Sequence, residues 1–398
     1  MEPSRLPPLM QSFHALRYAD TGAMGRLIAP PYDVIDGEMR GQLAEEERNI
    51  VHLTLGGNPD PYEAGARVLE EWVAEGVLVR DGRPTVTVMR QRFDLEDRPA
   101  VERTGIFVSV AAEPYGTGRV RPHERTRPGP KEDRLELLRA TGTVTEPVFL
   151  LSPDPDGGLA GLMGSVTARS PDAAAEQGGV GIEVWFEPGE GVEEVLASAA
   201  SAPLYIADGH HRYETTAAWG VERGSGARVL AFVVPTGDPG LVVLPAHRVI
   251  RGRPVDQEAL LRSVAPRFAL ETAEGAECTI VWPGRVETHL GCLDPVGEMP
   301  GSEEEREAAA GLTITRVERY LVRPLLSAAG PESFLEHTPD ETRARIRVAE
   351  GSAAAAVIVD PTPVEDVLRV ADEGGVMPPK STYFYPKVPS GIVMLPGD

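Results

Sequence analysis

The chain has 398 residues, of which 41% are hydrophobic and 25% charged, and its formal net charge is −22. This length predicts two or three packed domains, and this composition is ordinary for a folded soluble protein. So acidic a surface repels phosphate backbones and anionic lipid, so we expect no nucleic-acid groove and no membrane partner, although a local basic pocket remains compatible with it.

The cysteines and the N-terminus favour a cytoplasmic protein. Two cysteines, Cys278 and Cys292, give no disulfide framework, and we expect both thiols to be reduced. They flank TIVWPGRVETHLG, which predicts a hairpin that turns at Pro283-Gly284. The N-terminal sequence lacks a basic start followed by an apolar run, so no signal peptide is expected. No apolar stretch is long enough to predict a transmembrane helix.

Hydrophobic periodicity predicts a mixed α/β (α+β) fold in three parts: an N-terminal α+β region over 1–110, a central unit over 111–250 with an insertion at 152–200, and a C-terminal α+β region over 251–398. In chain order, helices are predicted at YEAGARVLEEWVAEGVLV (ending at Gly76), EDRLELLRA, GVEEVLASAA, HHRYETTAAWGVER, DQEALLRSVAPRF, ITRVERYLVRPLLSA and TPVEDVLRVADEG. Strands are predicted at PTVTVMRQRFDL, RTGIFVSVAA, EPVFLLS, IEVWFEP, APLYIADG, RVLAFVVP, LVVLPAHRVI and AAAVIVD.

The segment YIADGHHRYETT places several chemically active residues side by side, namely Asp208, Gly209, His210, His211 and Arg212. A strand is predicted to end here and a helix to begin, so unpaired backbone N–H groups and the positive end of the helix dipole meet at the turn. The glycine lets a ligand approach the backbone, and the arginine offers a fork that matches phosphate oxygens. The pattern predicts a phosphate cradle, in which Asp208 orients a histidine or holds Mg²⁺ bound to the phosphates.

Two other interpretations of this segment stay open. Asp208 could be an ordinary helix cap, which would leave the His-His-Arg sequence unexplained. Alternatively, the histidines could bind zinc together with His123 or His247, although neighbouring helical residues diverge by roughly 100° and no His-x-x-x-His spacing is present.

A second segment, RVRPHERTRPGPKED, carries a basic patch made up of Arg119, Arg121, Arg125, Arg127 and Lys131. His123 and Glu124 lie inside this patch. A carboxylate among cations can act as general base toward a hydroxyl, while the cations neutralise phosphate charge. The alternative is a solvated loop with internal ion pairs.

Three further segments supply candidate pocket residues: Tyr32 and Asp33 in APPYDVI, His247 and Arg248 in PAHRVI, and Lys380, Ser381, Tyr383 and Lys387 in the tail MPPKSTYFYPK. Prolines hold the tail in one shape, which suits a segment that covers a pocket. The alternatives are that Asp33 caps a turn and that His247-Arg248 is an exposed strand end.

Taken in order, APPYDVI, NIVHLTLG, PHERT followed by KEDRLELL, YIADGHHRYET, LPAHRVI and MPPKSTYFYPK resemble the bacterial family catalogued as domain of unknown function 1015. This resemblance covers nearly the whole chain. DGHHRYE also resembles the signature of free-serine kinases, which have a ParB/sulfiredoxin-like nucleotide-binding fold. Those kinases carry an upstream His-Glu pair whose glutamate is catalytic, and the order of segments is the same here.

The kinase resemblance implies phosphoryl transfer from ADP or ATP, with Mg²⁺, to an amino-acid hydroxyl such as that of free L-serine. It implies Glu124 as base with His123 beside it, and 208–212 with Arg125 and Lys131 as the nucleotide-phosphate site. Two alternatives stay open: a ParB-like nucleotide-binding regulatory module without catalysis, and a phosphohydrolase of a small metabolite or nucleotide. In each case the expected partners are a nucleotide and a small phosphorylated or hydroxylated metabolite.

Overall fold

The computed structural model of the chain describes residues 7–57, 60–96, 98–126, 128–224, 226–293 and 309–397. The strands are β1 (Met10–Gln11), β2 (Leu16–Tyr18), β3 (Leu78–Arg80), β4 (Thr85–Phe93), β5 (Val101–Ala112), β6 (Val120–Arg121), β7 (Thr143–Val144), β8 (Val148–Ser152), β9 (Ala173–Gln177), β10 (Val180–Pro188), β11 (Leu204–Asp208), β12 (Ala227–Pro235), β13 (Val242–Leu244), β14 (His247–Ile250), β15 (Phe268–Leu270), β16 (Cys278–Trp282), β17 (Val286–Cys292), β18 (Leu335–Thr338), β19 (Ala355–Val359), β20 (Tyr383–Tyr385) and β21 (Leu395–Pro396).

The α-helices are α1 (Met24–Leu27), α2 (Gly37–Leu43), α3 (Val51–Thr54), α4 (Pro61–Ala74), α5 (Pro128–Thr141), α6 (Gly158–Val166), α7 (Glu193–Ala199), α8 (His210–Glu222), α9 (Gln257–Val264), α10 (Thr313–Val317), α11 (Arg323–Ala329), α12 (Glu341–Ala349) and α13 (Val364–Asp372). A π-helical turn, Glu318–Val322, joins α10 to α11. The predicted mixed α/β class is confirmed. Among the described helices, none has the length and the apolar character needed to cross a membrane.

The chain folds as two units. The first unit comprises Met1–Pro122, Thr126–Leu241 and Pro386–Asp398, and the second comprises His123–Arg125 and Val242–Tyr385. The three-part division of the sequence near residues 110 and 250 stays a prediction about domains.

The first unit is built on a mixed sheet that, within the described residues, has nine strands. Its order is β6-β11-β8-β12-β5-β4-β10-β9, with β1 paired to β5. β8 and β12 run parallel at its centre, and nearly all their side chains are buried, as expected for strands covered on both faces. β9 and β10 come from the predicted insertion 152–200, and β10 pairs with β4, so this segment extends the main sheet.

The turn at Asp208–Gly209 is positioned by β11 and α8. β11 runs antiparallel to β8, with a register irregularity between Ile206 and Asp208 that re-aims the end of the strand. α8 begins at His210 and packs on β12 and α5. The predicted strand, turn and helix are therefore confirmed at this position.

The second unit contains a sheet whose described strands follow the order β15-β17-β16-β19-β14-β18, and β13 pairs separately with β20. Trp282 pairs with Val286 at the end of the β16–β17 ladder, which confirms the hairpin at Pro283-Gly284. Cys278 and Cys292 are both free thiols, as expected.

Local caps explain why α4 forms where the sequence predicts a helix. The Asp60 side chain accepts from the backbone N–H groups of Tyr62 and Glu63, and Pro61 occupies the first helical turn. Beyond the helix, Gly76 has a φ of 72°, the left-handed conformation that favours glycine and ends a helix.

The close packing of Gly105 on β5 gives a first prediction. A Cβ at this position would lie 2.4 Å from Cζ of the Phe232 ring. Gly105→Ala is therefore expected to lower the free energy of unfolding by about 1–3 kcal/mol, because the core must shift to admit the methyl group. Urea denaturation followed by circular dichroism measures this change.

Gly161→Ala is the matched control. Gly161 lies within α6, and a Cβ there would meet nothing within 4 Å. We expect the free energy of unfolding of this variant to rise by about 0.5–1 kcal/mol, because alanine has a higher helix propensity than glycine. Equal stability of the Gly105→Ala variant and the unmodified protein would contradict the packing argument.

Candidate functional site

The turn between β11 and α8 is made by a glycine at the start of the helix. Gly209 is the N-cap residue of α8 and has a φ of 93°. Glycine has no side chain with which to cap the helix. A Cβ at this glycine would lie 3.0 Å from Cζ of Arg212. The turn therefore requires glycine, and it presents helix N–H groups of the kind that bind anions.

Two cations hold the carboxylate of Asp208. Arg212 Nη2 donates to Asp208 Oδ2 at 2.7 Å, and Lys387 Nζ donates to Asp208 Oδ1 at 2.8 Å. Arg212 also donates through Nη1 to the carbonyl of Pro147. The exposed fractions of the Arg212, Asp208 and Lys387 side chains are 8%, 22% and 15%. This arrangement places two charged donors beside the start of α8.

The charge of Arg212 is stabilised by acidic groups around it. Burial alone would lower the pKa of Arg212, but the nearby charges of Asp208, Glu146 and Asp33 outweigh it, so the pKa is raised. The Tyr32 phenol also lies close enough to interact electrostatically with this guanidinium. The motif APPYDVI is therefore brought next to Arg212.

Glu146 fixes the backbone of Tyr32. Its Oε1 accepts from the Tyr32 N–H at 3.0 Å and from Ser390 Oγ at 3.3 Å. The Arg134 guanidinium lies 4.4 Å from the centroid of the Tyr32 ring. Burial raises the pKa of the Tyr32 hydroxyl to about 12, so this hydroxyl stays protonated and can donate at neutral pH.

The two histidines follow Gly209 directly. His210 is buried and His211 is half-buried, both in the first turn of α8. Among the described residues, no group of three or more His, Cys, Asp or Glu side chains could hold a metal ion. The zinc interpretation therefore gains no support from this geometry.

The basic patch contains internal ion pairs. Lys131 Nζ lies 2.7 Å from Glu214 Oε2, which also accepts from Thr126 Oγ1 at 2.6 Å. Arg119 pairs with Glu113. Arg127 lies outside the described residues. These contacts agree with the alternative of a loop with internal ion pairs. The role of Lys131 in phosphate binding stays a prediction.

The tail of the second unit holds His123 and Glu124. Glu124 forms a parallel bridge with Met377, whose N–H donates to the His123 carbonyl at 2.8 Å. The Lys380 N–H donates to Glu124 Oε2 at 3.3 Å, and His123 Nε2 lies 3.1 Å from Thr382 Oγ1. His123 is fully buried, whereas Glu124 is half-buried.

A tight turn presents the Lys380 N–H to Glu124. Lys380 has a φ of 56°, and the Ser381 hydroxyl donates to the Pro378 carbonyl at 2.6 Å. Tyr383 pairs with Leu244 in the β13–β20 ladder. The predicted tail residues Lys380 and Ser381 thus form the turn that contacts Glu124. Arg125 belongs to the same unit and is exposed.

His247 and Arg248 are buried within the second unit, so the exposed strand-end alternative is wrong. Arg248 is 0% exposed, and its Nε donates to Glu318 Oε2 at 3.0 Å. His247 Nδ1 accepts from the Val359 N–H at 3.3 Å, and burial lowers the pKa of this histidine. These contacts link β14 to its neighbours and favour a structural role.

Sequence reasoning missed Arg103 and Glu146. Arg103 is 0% exposed and interacts electrostatically with Asp208. Its position on β5 carried a signal, because Val101 and Arg103 point inward while Glu102 points outward. An arginine at an inward position of a strand is rare. Glu146, by contrast, precedes a strand in an ordinary-looking loop and carried no such signal.

The sequence matches the family model described as a protein of unknown function, DUF1015, over residues 10–343. No curated protein matches it. Among solved structures, it is similar to a conserved hypothetical protein from Pyrococcus furiosus (15% identity, 72% of this chain and 94% of that chain, TM-score 0.39). It is also similar to a free serine kinase in complex with AMP (16% identity, 72% of this chain and 92% of that chain, TM-score 0.39). A third similar structure is SbnI with a C-terminal truncation from Staphylococcus aureus (14% identity, 71% of this chain and 84% of that chain, TM-score 0.40). Similarity at this level carries no conclusion about chemistry.

Proposed function

The chain belongs to the family described as a protein of unknown function, DUF1015, and on that premise we propose that it is a small-molecule kinase. It transfers a phosphoryl group from ADP or ATP to an amino-acid hydroxyl, with free L-serine as the first candidate acceptor. The nucleotide phosphates bind at the Asp208–Arg212 turn. Glu124 accepts the proton of the hydroxyl as its oxygen attacks phosphorus and the bond to the departing nucleotide breaks.

One observation carries the phosphate part of this proposal: the start of α8, whose N-cap residue is a glycine, adjoins an aspartate that pairs with two cations. Arg212 offers a planar fork for phosphate oxygens, and Lys387 offers a compact point charge. Phosphoryl transfer depends mainly on positioning and charge neutralisation, and these groups supply both.

The assignment of Glu124 depends on the order of the sequence motifs. Its contact with the Lys380 N–H supports it, since this hydrogen bond fixes the carboxylate in one orientation. Glu124 belongs to the second unit and the phosphate-binding turn to the first. The role of Glu124 is therefore tested separately from nucleotide binding.

Mg²⁺ fits this site only through the nucleotide. Asp208 is the candidate protein ligand, and both its oxygens accept from cations, so the phosphates must supply the other ligands. Kinase Mg²⁺ is ordinarily held in this way, by one or two carboxylates plus phosphates. When bound, the ion would neutralise phosphate charge.

The test is ³¹P NMR of the protein with Mg²⁺, ATP or ADP, and a mixture of L-serine, L-threonine, homoserine and glycerate. A new phosphomonoester signal is the expected result. Asp208→Asn should reduce its rate of formation about 10- to 100-fold, because the cations lose the carboxylate that orients them. Asp172→Asn is the matched control, since Asp172 pairs with Arg169 at an exposed position of the same unit.

Each other result contradicts part of the proposal. Inorganic phosphate without an ester would indicate a phosphohydrolase. Unchanged nucleotide that nevertheless binds would indicate the regulatory module. An ester formed equally fast by the Asp208→Asn variant would exclude the proposed turn as the phosphate site.

A further inference from the structure

A fully buried arginine anchors the C-terminal segment beside the phosphate-binding turn. Arg103 Nη2 donates to the Pro386 carbonyl at 2.5 Å and to the side-chain oxygen of Gln91. Gln91 Nε2 donates in turn to the Lys387 carbonyl at 3.1 Å. β4 and β5 thus hold two successive carbonyls of one segment from within the sheet.

Burial of the Arg103 guanidinium has a high free-energy cost. Taking a guanidinium fully out of water carries a large desolvation penalty, which the hydrogen bonds from Arg103 to Gln91 and Pro386 offset in part. Burial lowers the pKa of Arg103 to about 9, although the negative charges of Asp238 and Asp208 act to raise it. The guanidinium also lies 4.7 Å from the centroid of the Phe149 ring, and this cation–π contact offsets part of the desolvation cost.

The fixed backbone determines where the side chain of Lys387 can reach. With the Pro386 and Lys387 carbonyls both held, the ammonium extends to Asp208 Oδ1 at 2.8 Å. Lys387 and Asp208 are separated by 179 positions, and the anchored segment helps to bring them together. A lysine held in place needs less ordering when it binds an anion than a lysine on a free tail.

We propose that Lys387 is a phosphate-binding residue for whose ammonium group Asp208 and a nucleotide phosphate compete, and that Arg103, together with Gln91, is the positioning residue that holds it beside the turn. This inference rests on the proposed function, since it names a further residue of the same phosphate site. Binding of the nucleotide exchanges the carboxylate of Asp208 for a phosphate oxygen at the ammonium group. No covalent step is involved.

Lysine labelling tests the positioning part without any nucleotide. The sequence contains three lysines, Lys131, Lys380 and Lys387, so limited acetylation followed by mass spectrometry resolves each one. In the unmodified protein, we expect Lys387 to react more slowly than exposed Lys380. Arg103→Lys and Gln91→Ala should bring Lys387 to a rate close to that of Lys380, because neither variant can hold both carbonyls. Reactivity at Lys131 should not change.

Calorimetric titration with ADP tests the phosphate-binding part. Lys387→Met should raise the Kd for ADP about 10- to 100-fold, the range for one charge-assisted hydrogen bond. Arg103→Lys should cause a similar loss, and the double variant should lose no more than either single one, because both act through the same ammonium group. Arg90→Lys is the matched control: Arg90 lies on β4 and pairs with Glu183. Gln91→Ala covers the case in which Arg103→Lys does not fold.

The outcomes separate the two proposals. Unchanged ADP affinity in Lys387→Met overturns the phosphate contact. Unchanged protection of Lys387 in folded Arg103→Lys and Gln91→Ala overturns the positioning role. If the unmodified protein binds no ADP, the proposed function and the phosphate contact both fail, and the labelling result alone decides whether Arg103 positions Lys387.

Discussion

Arg212→Met is expected to lower the free energy of unfolding by about 3–5 kcal/mol, the range for a buried ion pair that loses one partner. The loss removes a donor from the Pro147 carbonyl and a cation from the carboxylate of Asp208. The same change should remove measurable ADP binding, since the guanidinium lies against Gly209 at the start of α8. Urea denaturation and calorimetric titration with ADP measure the two effects.

Arg223→Met is the control on the same helix. Arg223 is exposed at the C-terminal end of α8, and its guanidinium lies 4.5 Å from the centroid of the Trp219 ring. Losing an exposed contact of this kind should cost about 0.5–1 kcal/mol and leave ADP affinity unchanged. Our account of the phosphate site would be wrong if Arg212→Met bound ADP as tightly as Arg223→Met.

Glu124→Gln is expected to slow phosphoryl transfer about 10²- to 10⁴-fold, the contribution typical of a general base. Glutamine has nearly the same size, and its side-chain oxygen can still accept from the Lys380 N–H, so the tail turn should be preserved. ADP affinity should therefore be unchanged. Initial rates from ³¹P NMR, compared with the Kd from titration, separate the two quantities.

Glu365→Gln makes the same chemical change at an exposed position in the first turn of α13 and should leave both quantities unaltered. Equal turnover by Glu124→Gln and Glu365→Gln would show that Glu124 is not the base. A parallel loss of ADP affinity would instead assign Glu124 to nucleotide binding.

The fold was predictable from the sequence where short windows decide it. LYIA is an apolar run, Gly209 permits the left-handed turn, and the residues after it suit a helix, so β11, the turn and α8 follow from neighbouring residues. The hairpin at Pro283-Gly284 was predictable for the same reason.

Burial was harder to predict, because it depends on which strands become neighbours. His247 and Arg248 come at the start of a strand, where the sequence allowed an exposed end. Both are buried, since β14 lies between β18 and β19. For Arg103 the burial itself could be predicted, from the alternation of side chains along β5, but the residues that it contacts could not.

The sequence by itself therefore determined the local elements and the chemical types at the turn, because backbone preferences and side-chain periodicity act within a few residues. The tertiary structure alone decided that Lys387 pairs with Asp208, that Arg103 holds the Pro386 carbonyl, and that Glu146 binds the Tyr32 N–H. These contacts join positions far apart in the chain, and they depend on strand order and side-chain packing, which no local window of sequence encodes.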